Sequence, residues 1–293
     1  MRRQRTGKRL ALTERDLEIF RQLSRYRYLR STYLHAFAGG ASETRFKERL
    51  GDLFHEGYLD RPDEQWRFAD ALHAPVVHEA GKGSRLALSG EAGAVTFLGA
   101  GYHRQFQHAL MICEILASIE LASRMVPGLR FVGWPEILAR APETTRVSPV
   151  PFRLPLSGDR CMTPDGMFGL EYEVTGRKTY RFFALEADRG TMPILRGDKR
   201  QSSVMGKLVV YRRIIAERRF KDFWGLPNLL VVTVLTSQAR LDELVGRAKC
   251  STPSHAFLFK AIEERELRTP MPGLLFAPWQ RVGDAPLKID ESN

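Results

Sequence analysis

Residues 163–193 read TPDGMFGLEYEVTGRKTYRFFALEADRGTMP, and their pattern decides the fold of the second half of the chain. Two apolar runs, PDGMFGLEYEV and TYRFFALEAD, flank the turn residues Thr175-Gly176-Arg177-Lys178, which predicts an antiparallel hairpin. Glu186 and Asp188 stand two positions apart and point to one face of a strand. Asp165 follows Pro164 at the start of the first strand, and antiparallel pairing brings that start opposite the end of the second. Three carboxylates therefore converge at one sheet edge, and Glu114 of a preceding helix is a candidate fourth. Buried acids are costly unless paired, protonated or bound to a cation. An oxygen-ligand site of this kind suits Mg2+ or Mn2+. The other reading pairs Glu186 and Asp188 with Arg181, Arg189 or a nearby basic helix.

Working outward, a long apolar helix is expected at FQHALMICEILASIELASRM, then strand LRFVGW and an irregular Pro-rich span at 135–163. After the hairpin come a basic helix at about 197–219, strand NLLVVTVL, helix ARLDELVGRA and the apolar piece GLLFAPW. The order is α-β-β-β-α-β, an α/β (α+β) domain over 105–285 with a tail at 286–293. Residues 196–221 hold nine basic side chains against two acids, an arrangement suited to a polyanion or to a solvated face. The Gly-rich stretch GEAGAVTFLGAGYHR, residues 90–104, reads as a linker.

Residues 12–89 read as a winged helix-turn-helix. Thr13 is a plausible N-cap for a helix in TERDLEIFRQLSRYRYL, RSTYLHAF supplies a second, and GGASETRFKERLGDLFHEGYL a third. Extended pieces at YLDRP and APVVHE form the wing. The third helix would present Ser42, Thr44, Arg45, Lys47 and Arg49 to double-stranded DNA. A basic arm at residues 1–11, with Arg2, Arg3, Arg5, Lys8 and Arg9, would contact phosphates. Over residues 1–30, ten basic residues oppose three acids.

Composition agrees with this assignment. The 293 residues are 43% hydrophobic and 27% charged, enough for two domains with real cores. The net charge of +11 favours a polyanionic partner, nucleic acid ahead of an anionic membrane. Cys113, Cys161 and Cys250 are scattered and odd in number, which fits neither a disulfide framework nor a zinc site. No Gly-rich phosphate loop, Ser/His/Asp set or paired His cluster with a Tyr nucleophile is visible. No apolar run of membrane-spanning length is expected, and the charged N-terminus lacks the apolar core of a secretory signal, so the expected location is the cytoplasm.

The segments PDGMF and FFALEADRGTMP, with the later KLVVYRR and LLVVTVLTSQARLDEL, resemble the replication-relaxation family of bacterial plasmids and mobile elements over roughly residues 12–250. The hairpin also resembles the PD-(D/E)xK nuclease-like core, in which a Pro-Asp and a Glu-x-Lys bind Mg2+ and orient the attacking water. The resemblance implies a role in plasmid replication, DNA relaxation or mobilisation, with replication or mobilisation proteins as partners. It maps Asp165 and Glu186 onto the metal-binding acids. Asp188 stands where the lysine of Glu-x-Lys belongs, and Lys199 or Lys207 from the following helix is the candidate replacement. Metal-dependent nicking by Asp165, Glu186 and Asp188 is one alternative, and a winged-helix transcriptional regulator is another. Oligomeric state stays open.

Overall fold

Residues 3, 4, 7, 10–40, 42–67, 72–89, 105–156, 161–195, 203–251 and 255–291 are described by the computed structural model, a mixed α/β structure. The linker expected at 90–104, Arg2, Arg5, Lys8 and Arg9 of the arm, and Lys199 lie outside the described residues. The chain divides into two units, Met1–Leu121 with Leu267–Met271, and Ala122–Glu266 with Pro272–Asn293.

In the first unit, α1 (Glu14–Tyr26) starts at a capping box. Asp16 accepts from the backbone N–H of Thr13 at 2.8 Å, and the Thr13 hydroxyl accepts from the backbone N–H of Asp16 at 3.4 Å. Ile19, Phe20 and Leu23 form its buried stripe. The sequence reading carried this helix to Leu29. It ends instead at Tyr26, because Arg27 takes φ 59° and turns the chain into strand β1 (Leu29–Arg30). Two further helices follow, α2 (Ser31–Ala38) and α3 (Glu43–His55), the latter buried through Phe46, Leu50, Leu53 and Phe54. Strands β2 (Leu59–Asp60) and β3 (Val77–Ala80) complete a three-stranded antiparallel sheet with β3 at its centre, Leu29 facing His78 and Leu59 facing Ala80.

Helix α4 (Phe106–Ser123) was expected to open the second domain, yet it groups with the first unit up to Leu121. Both of its acids are buried and paired with arginines of the first unit. Arg30 meets Glu114 at 2.6 Å, and Arg25 and the Tyr26 hydroxyl both meet Glu120. The Tyr33 hydroxyl lies 3.1 Å from that of Ser118. By length and composition α4 could cross a membrane, contrary to the reading that no segment could. Its side chains are 78% buried, as in a core helix.

The second unit is built on a six-stranded mixed sheet. Its strands are β4 (Leu129–Gly133), β5 (Gly166–Val174), β6 (Arg177–Asp188), β7 (Leu230–Leu235), β8 (Phe257–Ala261) and β9 (Gln280–Arg281), in the order β9-β8-β7-β6-β5-β4. The pairs β4/β5, β5/β6 and β8/β9 are antiparallel, whereas β6/β7 and β7/β8 are parallel. The β5/β6 hairpin turns through two residues, Thr175 at φ 51° and Gly176 at φ 76°, and Val174 already faces Arg177. This is tighter than the four-residue turn read from the sequence, because positive φ at both positions matches the twist of the strands. The resulting register sets Gly166 against Leu185. Asp165, one residue earlier, therefore stands across from Glu186. The β6-to-β7 crossover contains α5 (Val204–Ala216) and α6 (Arg219–Trp224), and α7 (Gln238–Ser251) follows β7. Helix α5 begins at Ser203, whose hydroxyl accepts from the backbone N–H of Gly206 at 3.1 Å.

Candidate active site

Strand β6 becomes fully buried from Phe182 onward, and the burial continues through Glu186 and Asp188, which are 5% and 7% exposed. Asp165 is fixed from the backbone: the N–H of Ala187 donates to its Oδ2 at 3.0 Å. Glu186 is held at both oxygens by α5. The Tyr211 hydroxyl donates to Oε1 at 2.5 Å, and Lys207 Nζ donates to Oε2. The same ammonium lies 3.7 Å from Asp165 Oδ1. Lys207 and Tyr211 are four residues apart, one helical turn, so a single face of α5 delivers both groups.

Burial pushes the Glu186 carboxyl upward and the Asp165 charge adds to it, against the pull of Lys207. Burial works to lower the Lys207 pKa, but Glu186 and Asp165 outweigh it and hold the ammonium charged. Burial also raises Tyr211 well above its ordinary value, so it remains a hydrogen-bond donor. Asp165, Glu186 and Lys207 thus form a desolvated cluster of two carboxylates and one cation.

Asp188 belongs to a different network. Arg240 of α7 donates to both of its oxygens, with Nη2 to Oδ1 at 3.0 Å, and also to the carbonyl of Met192. The backbone N–H of Gly190 adds a bond to Oδ1 at 3.1 Å. Asp188 thereby ties the end of β6, the following loop and α7 together. Arg189, a partner considered from sequence, pairs with Glu264 at 3.2 Å. Glu114 is in the first unit on Arg30. Among the described residues no group of three or more His, Cys, Asp or Glu side chains is gathered as for a metal ion. The two acids that do meet, Asp165 and Glu186, share the Lys207 ammonium.

The DNA-contact candidates also separate. Ser42 is the N-cap of α3, its hydroxyl accepting from the backbone N–H of Arg45 at 3.3 Å. Thr44, Arg45 and Lys47 are exposed on α3, and Lys47 pairs with Glu43 at 2.7 Å. Arg49 turns inward, where Nε and Nη2 meet the buried Asp16 at 3.0 and 2.6 Å. Burial works against ionisation of Asp16, but the bonds from Arg49 and Thr13 prevail and hold its pKa down. Arg3 donates to the carbonyls of Phe54 and Leu59 at 2.9 and 3.0 Å and pairs with Asp60.

Sequence reasoning missed Tyr211 as a site residue, although its spacing from Lys207 carried the signal. It also missed Arg240, 52 positions from Asp188, for which no local pattern existed.

The profile of the family described as replication-relaxation matches residues 18–229. No curated protein and no solved structure matches the chain.

Proposed function

The chain belongs to the replication-relaxation family, and from that premise we propose that it binds DNA and cuts one strand of it with a divalent ion held by Asp165 and Glu186. The observation that carries this reading is Lys207. Position 188 lacks the lysine of a Glu-x-Lys pair, and a lysine from α5 occupies the space beside both acids. The strand order β4-β5-β6-β7, with the first three antiparallel and β7 parallel to β6, agrees with a restriction-endonuclease-like core.

In this reading Asp165 and Glu186 supply the anionic oxygens for Mg2+ or Mn2+, and Tyr211 fixes the rotamer of Glu186. When bound, the ion lowers the pKa of water and offsets negative charge on the phosphate. Lys207 Nζ, held protonated, would donate a hydrogen bond to a non-bridging phosphate oxygen and offset the negative charge that builds there. The water oxygen would form the new P–O bond and pass its proton to solvent, as the bond to the leaving sugar oxygen breaks and that oxygen takes a proton from solvent. Arg240 has no part in the chemistry and keeps Asp188 neutralised.

The first unit supports the DNA-binding half of the proposal. Three helices with a three-stranded antiparallel sheet suit a winged helix, and α3 offers Thr44, Arg45 and Lys47 to a groove. Arg49 leaves that set because it is the counter-ion of Asp16. Replication or mobilisation proteins are the expected partners.

The test is to add the purified protein to supercoiled DNA of its own element, with and without Mn2+, and to follow complex formation and topology separately. The expected result is binding in both conditions and open-circular product only with Mn2+. Binding without any nicking supports a second reading, a regulator with a non-cutting core, which the engagement of both Glu186 oxygens by Lys207 and Tyr211 favours.

A further inference from the structure

Helix α6 is framed by polar bonds to an earlier stretch of the second unit, residues 142–155. Trp224 Nε1 donates to the carbonyl of Phe152 at 3.1 Å, Arg219 Nη2 donates to that of Pro155 at 2.5 Å, and the Thr145 hydroxyl donates to that of Phe223. Trp224, Phe152 and Thr145 are buried, so the frame is anchored from within. The residues beside these anchors carry the charge. Arg146 follows Thr145, Arg153 follows Phe152, and Arg218 and Lys221 lie at the start of α6; all four are exposed. Among the described residues none of these four side chains has a hydrogen-bond or ion-pair partner. Arg219 adds a fifth positive charge, since its bond is to a neutral carbonyl and its guanidinium lies over the Phe223 ring at 5.2 Å. Across residues 142–155 and 218–225 these five cations face only two acids, Glu143 and Asp222. Like charges gathered on one frame repel one another, and a polyanion relieves that repulsion.

We propose that Arg146, Arg153, Arg218, Arg219 and Lys221 form a phosphate-binding surface for duplex DNA, separate from α3 and the basic arm. The proposal rests on the DNA-binding reading given above and adds the part of the second unit that contacts the duplex. Helix α5 connects this surface to the candidate active site. From Lys207 to Arg218 the chain advances roughly 16 Å at 1.5 Å per residue, about half a turn of duplex DNA. Unpaired Arg and Lys side chains contact phosphates without reading sequence, so the surface holds the duplex rather than selecting it.

The test is the salt dependence of binding of the whole protein to a duplex of random sequence, followed by fluorescence anisotropy. In one variant Arg153, Arg218 and Lys221 are all changed to Gln. In the control variant Arg247, Arg265 and Lys288, which are exposed and paired with acids, are changed to Gln. Thermal melts verify that both fold. Each lost phosphate contact lowers the slope of log affinity against log salt by about 0.9, so the first variant should lose about 2 to 3 in slope and the control less than half of that. An unchanged slope in the folded first variant, or an equal loss in the control, overturns the proposal while DNA binding by wild type keeps the proposed function standing. Loss of poly-glutamate binding with an unchanged DNA slope overturns it in favour of an acidic protein partner. A lowered slope without nicking supports this surface and removes only the cutting half of the proposed function. Failure of the wild type to bind DNA overturns both.

Discussion

Asp188 is 7% exposed and neutralised by one guanidinium, so Arg240→Ala leaves a buried carboxylate without its counter-ion. Breaking such a pair costs about 3 kcal/mol. Urea denaturation of this variant should show a loss of that order, while Mn2+ still raises its melting temperature as in wild type. Loss of the Mn2+ response would place Asp188 in the metal site after all. Glu171 gives a residue-scale test of pH dependence. Hydrogen bonds from Arg130, then Lys178 and Tyr180, hold its carboxyl down to about 2 against the effect of burial. A carboxylate depressed in the folded state adds stability that is full above its ordinary 4.5 and lost as pH falls through about 2. Thermal melts between pH 5 and 2 should therefore fall less steeply for Glu171→Gln than for wild type; equal slopes would deny Glu171 this role. The sequence exposed Asp165 and Glu186 through their placement on a hairpin, and it presented Lys207 as a candidate. It could not sort Asp188 from them, since the residue that claims Asp188 arrives from a helix beyond the next strand.

Elements were legible where a local pattern dictated them and misread where a distant partner did. The hairpin followed from two apolar runs and a Gly-containing turn, and its register aligned Asp165 with Glu186. Gly176 at φ 76° meets nothing that would clash with a Cβ, so Gly176→Ala isolates the backbone cost of that conformation. The variant should lose about 1 kcal/mol, read by chemical denaturation; an unchanged midpoint would mean that the turn relaxes to another type. Helix α1 was drawn three residues too long because Arg27, Tyr28 and Leu29 continue a plausible helical sequence, whereas pairing of Leu29 with His78 prevails. Helix α4, placed with the second half in the sequence reading, holds its two acids against Arg25 and Arg30, pairings that sequence order does not reveal. The same logic removes Arg49 from the groove-facing set. Asp16→Ala should destabilise by about 3 kcal/mol through loss of the Arg49 pair and the α1 cap, whereas Arg45→Ala should leave stability within about 0.5 kcal/mol of wild type and weaken DNA binding.

For the molecule as a whole, a charge of +11 makes salt the first variable in any DNA measurement. Removing residues 1–9 should weaken binding to all sequences and flatten the dependence of log affinity on log salt, because fewer counterions are released. An unchanged slope would exclude a phosphate-binding arm. The coarse α/β class was legible from the order of patterns along the chain. Buried ion pairs between segments far apart in sequence, such as Arg30 with Glu114, leave no periodic signal. The central claim concerns Lys207, and the most direct measurement is nicking of supercoiled DNA in Mn2+ by wild type, Lys207→Ala and Lys207→Arg, with DNA affinity recorded alongside. The account predicts that Lys207→Ala loses at least a hundredfold in nicking rate at nearly wild-type DNA affinity, and that Lys207→Arg restores part of it. Equal nicking by wild type and a folded Lys207→Ala variant would contradict it.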